Sequence, residues 1–458
     1  MNGHGQARCL LTRAMSLRVS RICILLLIAC LVSPARADEL KLAIALFRHG
    51  ARSPLHFLPD HMDTCKWSEG PRRRGQLTPL GQQQLYDVGL YYNALYVTEH
   101  ELLSPKYNNS EILIRSSGTD RTVMSAYSVL TGLYPPGAGS DTLPDQVQPV
   151  PIRSNLGTPW IQEDDEDRLF HPEADCPVLE DMRTNAMHSK SWEAVEEQYY
   201  EFLQRIKKEA ELEDYVGSTF HAADIGLLSD PLRCGITQGC GLPPVITQAD
   251  FEVIMDIHRL KMHEKIGAGV SDQRTRMKGS PMINSWRDMV YSALTDEPTA
   301  KMVIYSGHDT TVETMLALLG LWGDDAAETD FGSHLELELW QDPTIVGVEE
   351  REQYYIKFRF NGDTMPITAC GGVVCSLDDF DDIISSTTVG WGLCVVDPLI
   401  ERHVGVAWLT FWKTLGLSFL ATMILLAVCF IAGLRLAGGI VGHSHSIPSF
   451  EKNEAKNM

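Results

Sequence analysis

Three short apolar runs, two of them followed by apolar residues at helical spacing, constrain the fold of this chain more than any other feature. The runs are residues 40–47 (LKLAIALF), 111–114 (EILI) and 301–305 (KMVIY), and their continuity is typical of strands buried on both faces. Strands that alternate with helices form an open sheet covered on both sides. The sequence therefore predicts an α/β fold with an open, mostly parallel sheet and helices on both faces. Residues 334–340 and 354–360 alternate with period two and predict further strands.

The stretch between residues 152 and 298 has a different pattern, which is typical of helices. Apolar residues recur at amphipathic spacing over residues 192–206, and a capping-box pattern begins at Thr247. We therefore expect residues 152–298 to form a mainly α-helical cap. It would be inserted into an α/β catalytic domain made of residues 38–151 and 299–403.

The first 37 residues have the pattern of a cleaved secretory signal. Four arginines precede an apolar stretch at residues 22–32, and Ala35-Arg36-Ala37 supplies an A-x-A cleavage site. A membrane anchor is the alternative, but this stretch is too short to span a hydrocarbon core of about 30 Å comfortably. We expect residues 1–37 to be a signal peptide and Asp38 to begin the mature chain.

Residues 414–434 form an uncharged apolar run near the other end of the chain. The 21 residues of this run would reach about 31 Å as a helix, enough for one bilayer core. A buried core helix would be unusually long and apolar, and a removable lipid-anchor signal would not be followed by a polar tail. The run predicts a single transmembrane helix with residues 435–458 as a cytosolic tail. The body of this type I membrane protein would be luminal or extracellular, in lysosomes, endosomes or at the plasma membrane.

The charge balance limits the partners of the chain. There are 39 Lys and Arg against 60 Asp and Glu, which gives a net charge of −21 at pH 7. Proteins that bind nucleic acid generally need an excess of cations to neutralise phosphates. We therefore expect no nucleic-acid partner, although one small basic pocket remains compatible with this composition.

Cysteines of the predicted luminal body should pair in an oxidising compartment. Cys234 with Cys240 and Cys370 with Cys375 are close enough to close small loops, Cys176 can reach Cys394, and Cys65 is then left over. The sequon Asn108-Asn109-Ser110 predicts glycosylation at Asn108 in the same compartment.

Polar residues that suit phosphoryl transfer stand where the apolar runs end. They are Arg48, His49, Arg52, Arg115, His308 and Asp309. The carboxyl ends of strands in an open α/β sheet are where ligands bind. Arginine binds tetrahedral oxyanions bidentately, a neutral imidazole can attack phosphorus, and a carboxylic acid can protonate a departing alkoxide. This set is complete for phosphoryl transfer without a metal ion or a cofactor.

Three segments resemble the motifs of the histidine acid phosphatase family. Residues 46–54 (LFRHGARSP) contain its RHG-x-R-x-P core, residues 114–122 (IRSSGTDRT) are similar to its second phosphate-binding segment, and residues 305–311 (YSGHDTT) resemble its histidine–aspartate motif. The similarity extends from residue 40 to about residue 394 and is greatest to the lysosomal, prostatic and testicular members. Ala51 departs from the family pattern, since the most similar members have an acidic residue there.

The resemblance implies a role for each residue of the set. His49 would be the nucleophile that becomes phosphorylated, and Asp309 would protonate the leaving group and later activate water. The phosphoryl oxygens would be held by Arg48, Arg52, Arg115 and His308. An acidic optimum is expected because Asp309 needs its proton in the first step. The resemblance also implies an α/β sandwich with a helical cap, and it is compatible with a homodimer.

Two other functions remain as alternatives to a phosphomonoester hydrolase. An inositol-polyphosphate phosphatase of the same superfamily would need a strongly basic pocket rim. A catalytically silent receptor-like ectodomain would not need to retain every residue of the predicted site.

Overall fold

The structure is a computed structural model, and it describes residues 38–67, 74–138, 143–154, 167–173, 176–267, 269–295, 297–322, 329–347 and 349–394. The chain divides into two compact units, Met1–Cys394 and Val395–Met458. The predicted signal peptide, transmembrane helix and cytosolic tail lie outside the described residues. Within the described ranges, no helix has the length and apolar character needed to cross a membrane.

The described strands form one mixed sheet. They are β1 (Glu39–Arg48), β2 (Ile112–Ser116), β3 (Arg153–Ser154), β4 (Met302–Gly307), β5 (His334–Gln341), β6 (Tyr354–Phe360), β7 (Asp363–Met365) and β8 (Cys375–Ser376). Their order is β3-β2-β4-β1-β5-β6-β7, and β8 also pairs with β6. The pairs among β1 to β4 are parallel, whereas β5 to β8 pair antiparallel.

The α/β class is confirmed, but the prediction of a mostly parallel sheet is wrong. The two strands predicted at residues 334–340 and 354–360 are present as β5 and β6. Among the described residues only a four-residue 3-10 helix, Glu350–Gln353, lies between them, and a parallel arrangement normally needs a longer crossover helix. The second half of the sheet is therefore antiparallel, and β1 lies at the boundary between the two halves.

The described α-helices cover both faces of this sheet or pack in a separate cluster. They are α1 (Pro79–Tyr92), α2 (Asp120–Leu133), α3 (Pro177–Ala186), α4 (Lys190–Glu209), α5 (Glu213–Val216), α6 (Gly226–Thr237), α7 (Gln248–Ile266), α8 (Gln273–Ala293), α9 (Asp309–Leu318) and α10 (Leu377–Thr387). Strand β1 alternates between two cores: Leu42 and Ile44 face helices α8, α9 and α10, whereas Ala43 and Ala45 face helices α1 and α2. This double burial explains why β1 is a continuous apolar run.

Helices α4 to α7 build a third apolar core away from the sheet, which includes Trp192, Leu203 and Ile257. The expected amphipathic helix over residues 192–206 is α4, and the capping box predicted at Thr247 begins α7. Helix α8 also belongs to the segment 152–298, yet its Trp286 packs into the core of the sheet. The division into a catalytic domain and a cap therefore remains a prediction, because part of the helical segment supports the sheet.

The disulfides differ from the predicted set in one pair. Cys176 is bonded to Cys394 and Cys370 to Cys375, but Cys240 is bonded to Cys65, across a sequence separation of 175 residues. The predicted Cys234–Cys240 pairing is wrong. Cys234 lies inside helix α6 as a buried free thiol, whereas Cys240 follows the end of that helix. Nearness in sequence therefore did not select the partner of Cys240.

Helices α1 and α2 approach each other closely at two glycines. A Cβ atom on Gly89 would lie 2.1 Å from the carbonyl oxygen of Val129, and one on Gly132 would lie 2.3 Å from the carbonyl oxygen of Tyr86. Neither space admits a methyl group without a backbone shift. This contact allows the two helices to pack closely against each other.

We predict that Gly89→Ala destabilises the fold. Alanine would favour the helix by about 1 kcal/mol, but overpacking a tight contact costs about 1–3 kcal/mol, and here the clash is with backbone that cannot swing aside. The midpoint of thermal unfolding should fall below that of wild type. Gly372→Ala is the control, because nothing lies within 4 Å of the added Cβ. Equal midpoints for the two variants would contradict the prediction.

Candidate active site

The site is formed where β1 and β4 end side by side. In this parallel pair Arg48 lies opposite Gly307, and the backbone N–H of His49 donates to the Gly307 carbonyl at 3.0 Å. The next residue after each strand is therefore a histidine, and the ring centroids of His49 and His308 are 5.5 Å apart. The pairing of two parallel strands thus brings both histidines to one edge of the sheet.

The loop after β1 is held against the start of helix α1. The backbone N–H and the hydroxyl of Thr78 both donate to the Ala51 carbonyl, at 2.9 Å each, and Thr78 also caps α1. A Cβ on Gly50 would lie 2.2 Å from the carbonyl oxygen of Gly81. Glycine is required at position 50 because only a residue without a side chain permits this approach.

His49 has one free ring nitrogen. Its Nδ1 lies 2.9 Å from the carbonyl oxygen of Gly50, and because a carbonyl only accepts, Nδ1 carries the proton in this contact. The described hydrogen bonds of His49 do not use Nε2. Burial, together with the positive charges of Arg48 and Arg52, holds the pKa of His49 well below its usual value of 6.5. The ring is therefore neutral in mildly acidic solution, with the Nε2 lone pair available.

Arg48 is held by several groups at the bottom of the site. Its Nη2 forms an ion pair of 2.9 Å with Asp309 Oδ2, and its Nη1 donates to the carbonyl oxygen of Thr329. The guanidinium also stacks on the ring of Phe331, 4.2 Å from its centroid. Burial lowers the pKa of Arg48 to about 10, which leaves it charged under any condition where the protein works.

Arg52 is oriented by a carboxylate that sequence analysis missed. Its Nη2 forms an ion pair of 2.8 Å with Asp230 of helix α6, and the other oxygen of Asp230 accepts the backbone N–H of Leu55 at 2.7 Å. The Arg52 Nη1 also lies 3.6 Å from the sulfur of Cys234. Burial raises the pKa of the Cys234 thiol to about 12, so this sulfur remains a neutral neighbour of the arginine.

The structure does not bring Arg115 into this site. Arg115 belongs to β2, where Ile112 and Ile114 face helices α1 and α2, so it points to the other side of the sheet and lines a separate cavity with Arg168 and Asn284. Arg121, in the first turn of helix α2, lines the same cavity as His49. Its Nη2 lies 3.2 Å from Nδ1 of His308.

His308 is engaged through both ring nitrogens. Arg121 donates to Nδ1, and Nε2 then carries the proton that is given to Ser117 Oγ at 3.0 Å. Burial and the neighbouring charge of Arg121 lower the pKa of His308 to about 3. The ring is therefore neutral, and in this geometry it orients Arg121 rather than contributing a positive charge.

The neighbours of Asp309 favour its ionised form. Burial opposes the charged form, but the positive charges of Arg48 and Arg52 outweigh it and hold the pKa of Asp309 well below its usual value of 3.8. The sequence predicts a protonated Asp309 at acidic pH. Because the neighbouring arginines favour the carboxylate, Asp309 would gain that proton only together with a substrate.

These residues surround a solvent-accessible cavity of about 520 Å³, lined by His49, Arg52, Arg121, His308 and Asp309 among others. The Nε atoms of Arg48, Arg52 and Arg121 are buried and bond to none of the described residues. The guanidinium groups of Arg52 and Arg121 that line the cavity beside a neutral imidazole match the requirements of a tetrahedral oxyanion. The geometry can therefore hold a phosphoryl group against Nε2 of His49.

Several residues of the site carry no signal in the sequence pattern. Phe331 and Thr329 come from the connection before β5, and Asp230 comes from the interior of helix α6. Arg121 did have a signal, because a residue in the first turn of a helix that follows a parallel strand lies near the ligand-binding edge of the sheet. The unbroken apolar run before Arg115 does not distinguish the two faces of β2, so the sequence alone does not exclude Arg115.

Comparison with known proteins identifies relatives over most of the chain. The model of the histidine phosphatase superfamily (branch 2) matches residues 39–361. Prostatic acid phosphatase from Bos taurus is 29% identical over 321 residues, which cover 69% of this chain and 78% of the relative. Lysosomal acid phosphatase from Homo sapiens is 28% identical over 335 residues, which cover 73% of this chain and 74% of the relative.

Solved structures share the fold. Hafnia alvei phytase in complex with myo-inositol hexakis sulphate superposes with a TM-score of 0.57 at 17% identity, covering 77% of this chain and 98% of the phytase. The phytase from Citrobacter braakii gives a TM-score of 0.55 at 15% identity, covering 78% of this chain and all of the phytase. At these identities the likeness concerns the fold alone.

We predict that Arg121→Ala weakens the binding of inorganic phosphate by about 10- to 100-fold, because a hydrogen bond to a charged group contributes about 1.5–3 kcal/mol. Arg115→Ala is the matched control and should stay within about twofold of wild type, since Arg115 lines another cavity. Isothermal titration calorimetry measures both affinities. A larger loss of phosphate affinity in Arg115→Ala than in Arg121→Ala would contradict this assignment.

Proposed function

We propose that this chain, which belongs to branch 2 of the histidine phosphatase superfamily and is an acid phosphatase, hydrolyses phosphomonoesters through a covalent phosphohistidine on His49. One observation carries the proposal. His49, whose Nε2 takes part in none of the described hydrogen bonds, lines a cavity together with the guanidinium groups of Arg52 and Arg121, and Arg48 is held beside it by Asp309. We assign to Arg121 the phosphate-binding role that the sequence analysis expected for Arg115.

In the first step, Nε2 of His49 attacks phosphorus, and the bond between phosphorus and the ester oxygen breaks. The proton on Nδ1 stays hydrogen-bonded to the Gly50 carbonyl, which steadies the ring as it gains positive charge. Arg48, Arg52 and Arg121 stabilise the charge on the phosphoryl oxygens in the transition state. Asp309 gives a proton to the departing alkoxide.

In the second step, water replaces the alcohol beside Asp309. The carboxylate takes a proton from this water as its oxygen attacks phosphorus, and the bond between phosphorus and Nε2 breaks. Inorganic phosphate leaves, and His49 returns to its neutral form. The cycle consumes one water per ester and needs no redox partner.

Acidic solution favours this cycle for two reasons. The low pKa of His49 keeps the nucleophile neutral where an ordinary imidazole would be protonated. A phosphomonoester loses its last proton with a pKa of about 6, so below that pH it enters as a monoanion that still carries a proton. Its negative charge competes with Asp309 for Arg48, which favours transfer of a proton to the carboxylate.

The character of the cavity wall favours simple phosphomonoesters over inositol polyphosphates. Lys261 and Lys265 of helix α7 line it, but so do the carboxylates of Glu173 and Asp224. A highly charged substrate would meet both signs of charge. The retention of His49 with its ring of arginines also argues against a catalytically silent ectodomain.

We further propose that the catalytic body is luminal or extracellular and is anchored by residues 414–434. Three disulfides support an oxidising compartment. Asn108 is exposed in a turn before β2, where a glycan would meet no obstacle. The membrane assignment itself rests on the uncharged 21-residue run in the sequence.

We predict that Asp309→Asn loses more activity on an alkyl phosphate than on p-nitrophenyl phosphate. An alkoxide needs the proton of Asp309 to depart, whereas p-nitrophenolate is a stable anion. General acid catalysis contributes about 10²- to 10⁴-fold, so β-glycerophosphate should lose at least tenfold more kcat than the aryl ester. Asp330→Asn, at a 93% exposed carboxylate near Arg233, is the control and should match wild type.

Acid-labile ³²P should be trapped on His49 of the wild type and be absent from His49→Ala. Label on another side chain, or none on the wild type, would overturn the proposed function. An equal loss on both esters in Asp309→Asn would remove Asp309 from the role of general acid.

We predict that the full chain stays in the membrane pellet after carbonate extraction, because a 21-residue apolar span buries enough surface to resist it. A chain ending at residue 403 should be secreted, begin at Asp38 and shrink on glycosidase treatment unless Asn108→Gln is present. Recovery of the full chain in the carbonate supernatant would exclude the anchor.

A further inference from the structure

Glu313 is a buried carboxylate that the two catalytic steps do not use. It lies one turn after Asp309 in helix α9 and is 1% exposed. Its Oε1 accepts a hydrogen bond of 2.9 Å from the hydroxyl of Thr329, whereas Oε2 is buried and has no hydrogen-bond partner among the described residues. Such an oxygen is costly when the group is charged, so its presence beside the active site calls for a chemical reason.

Thr329 connects this carboxylate to the phosphate-binding arginine. Its hydroxyl donates to Glu313, and its carbonyl oxygen accepts from Nη1 of Arg48 and, at 2.8 Å, from Nη2 of Arg233. Arg48 in turn forms its ion pair with Asp309. One guanidinium therefore lies between two carboxylates of the same helix, one of which faces the cavity while the other is buried beneath it.

We propose that Glu313 is a positioning residue of the phosphatase site, which holds Arg48 through Thr329 and, when it loses its proton, draws the charge of that guanidinium away from the substrate. With Glu313 neutral, the charge of Arg48 is balanced by Asp309 alone and can pass to an incoming phosphate. With Glu313 ionised, two carboxylates share Arg48, and the site repels an anion. This inference rests on the proposed function, because it concerns the same phosphate site.

The surroundings of Glu313 place the change between these two states near neutral pH. Burial and the negative charge of Asp309 raise the pKa of Glu313 to about 7, against the opposing effects of Arg48, Thr329 and Arg233. The charged groups that act on Glu313 are Asp309 of its own helix, Arg48 of β1 and Arg233 of α6. Because the pKa is raised, the neutral and productive form exists below it and is lost as the pH rises through it.

The test compares the pH dependence of kcat/KM for p-nitrophenyl phosphate in wild type and Glu313→Gln. Glutamine keeps the shape and the acceptor for Thr329 but cannot ionise. At pH 8 a group with a pKa of about 7 is neutral in only about a tenth of the molecules. When kcat/KM is normalised to its value at pH 5, the kcat/KM of the variant at pH 8 should therefore exceed that of wild type by about tenfold. The inhibition constant of inorganic phosphate should follow the same pH shift.

Glu111→Gln is the matched control. Glu111 is also a buried glutamate, but it is bonded to Ser104 and Lys301 at the start of β2, away from the cavity. The fall of kcat/KM at alkaline pH in Glu111→Gln should superimpose on that of wild type. A shift of equal size in both variants would attribute the effect to a general change of charge and overturn the inference.

Thr329→Val tests the same link if Glu313→Gln does not fold. Valine removes the hydroxyl donor that favours the carboxylate, so the pKa of Glu313 should rise and the fall of kcat/KM at alkaline pH should move to higher pH. Thr329→Ser keeps the donor and should leave that fall where it is in wild type. An alkaline limb that coincides with wild type in Glu313→Gln, or in Thr329→Val, would refute the role of Glu313. If the wild type still forms phosphohistidine at position 49, an unchanged pH profile contradicts only the role of Glu313. A wild type that forms no phosphoenzyme contradicts the proposed function.

Discussion

The parallel pairing of β1 with β4 is the constraint on which the rest of the site depends. Through the hydrogen bond from His49 N–H to the Gly307 carbonyl, it aligns two strand ends that are distant in sequence. A slip of one residue would turn every side chain of β1 to the opposite face. Because β1 is apolar and buried on both faces, the two cores fix its register. The positions of the site residues at its end therefore depend on the packing of those cores.

Burial gives this arrangement its electrostatic character. In a chain with a net charge of −21, a few guanidinium groups are enclosed together with two imidazoles. Asp309 and Asp230 pair with Arg48 and Arg52, and the ring of Phe331 offers its face to both. These contacts offset the cost of burying the arginines. Burial, together with these positive charges, lowers the pKa of His49 and keeps its ring neutral, as the proposed nucleophilic role requires.

The positions of His49 and Asp309 were predictable, because both residues lie just after strands that the apolar pattern reveals. To predict where His49 and Asp309 lie, it was sufficient to know where an apolar run ends and that ligands bind at the carboxyl ends of strands in an α/β sheet. The prediction for Arg115 was wrong because a side chain within a strand can point to either face of the sheet. Only the packing of β2 determines which face it occupies. The antiparallel half of the sheet and the Cys65–Cys240 bond depend on contacts between distant segments, which local patterns do not encode. Thr329 and Phe331 belong to an irregular connection for the same reason.

The Cys65–Cys240 disulfide joins the loop that follows the catalytic strand to the end of helix α6. The same helix carries Asp230, which binds both Arg52 and the backbone of that loop. One wall of the cavity is thus cross-linked twice, once by charge and once by covalent bond. Formation of this disulfide therefore affects the shape of the cavity as well as overall stability. A molecule in which both thiols stay reduced would keep His49 in place and still lack the covalent link in the wall beside it.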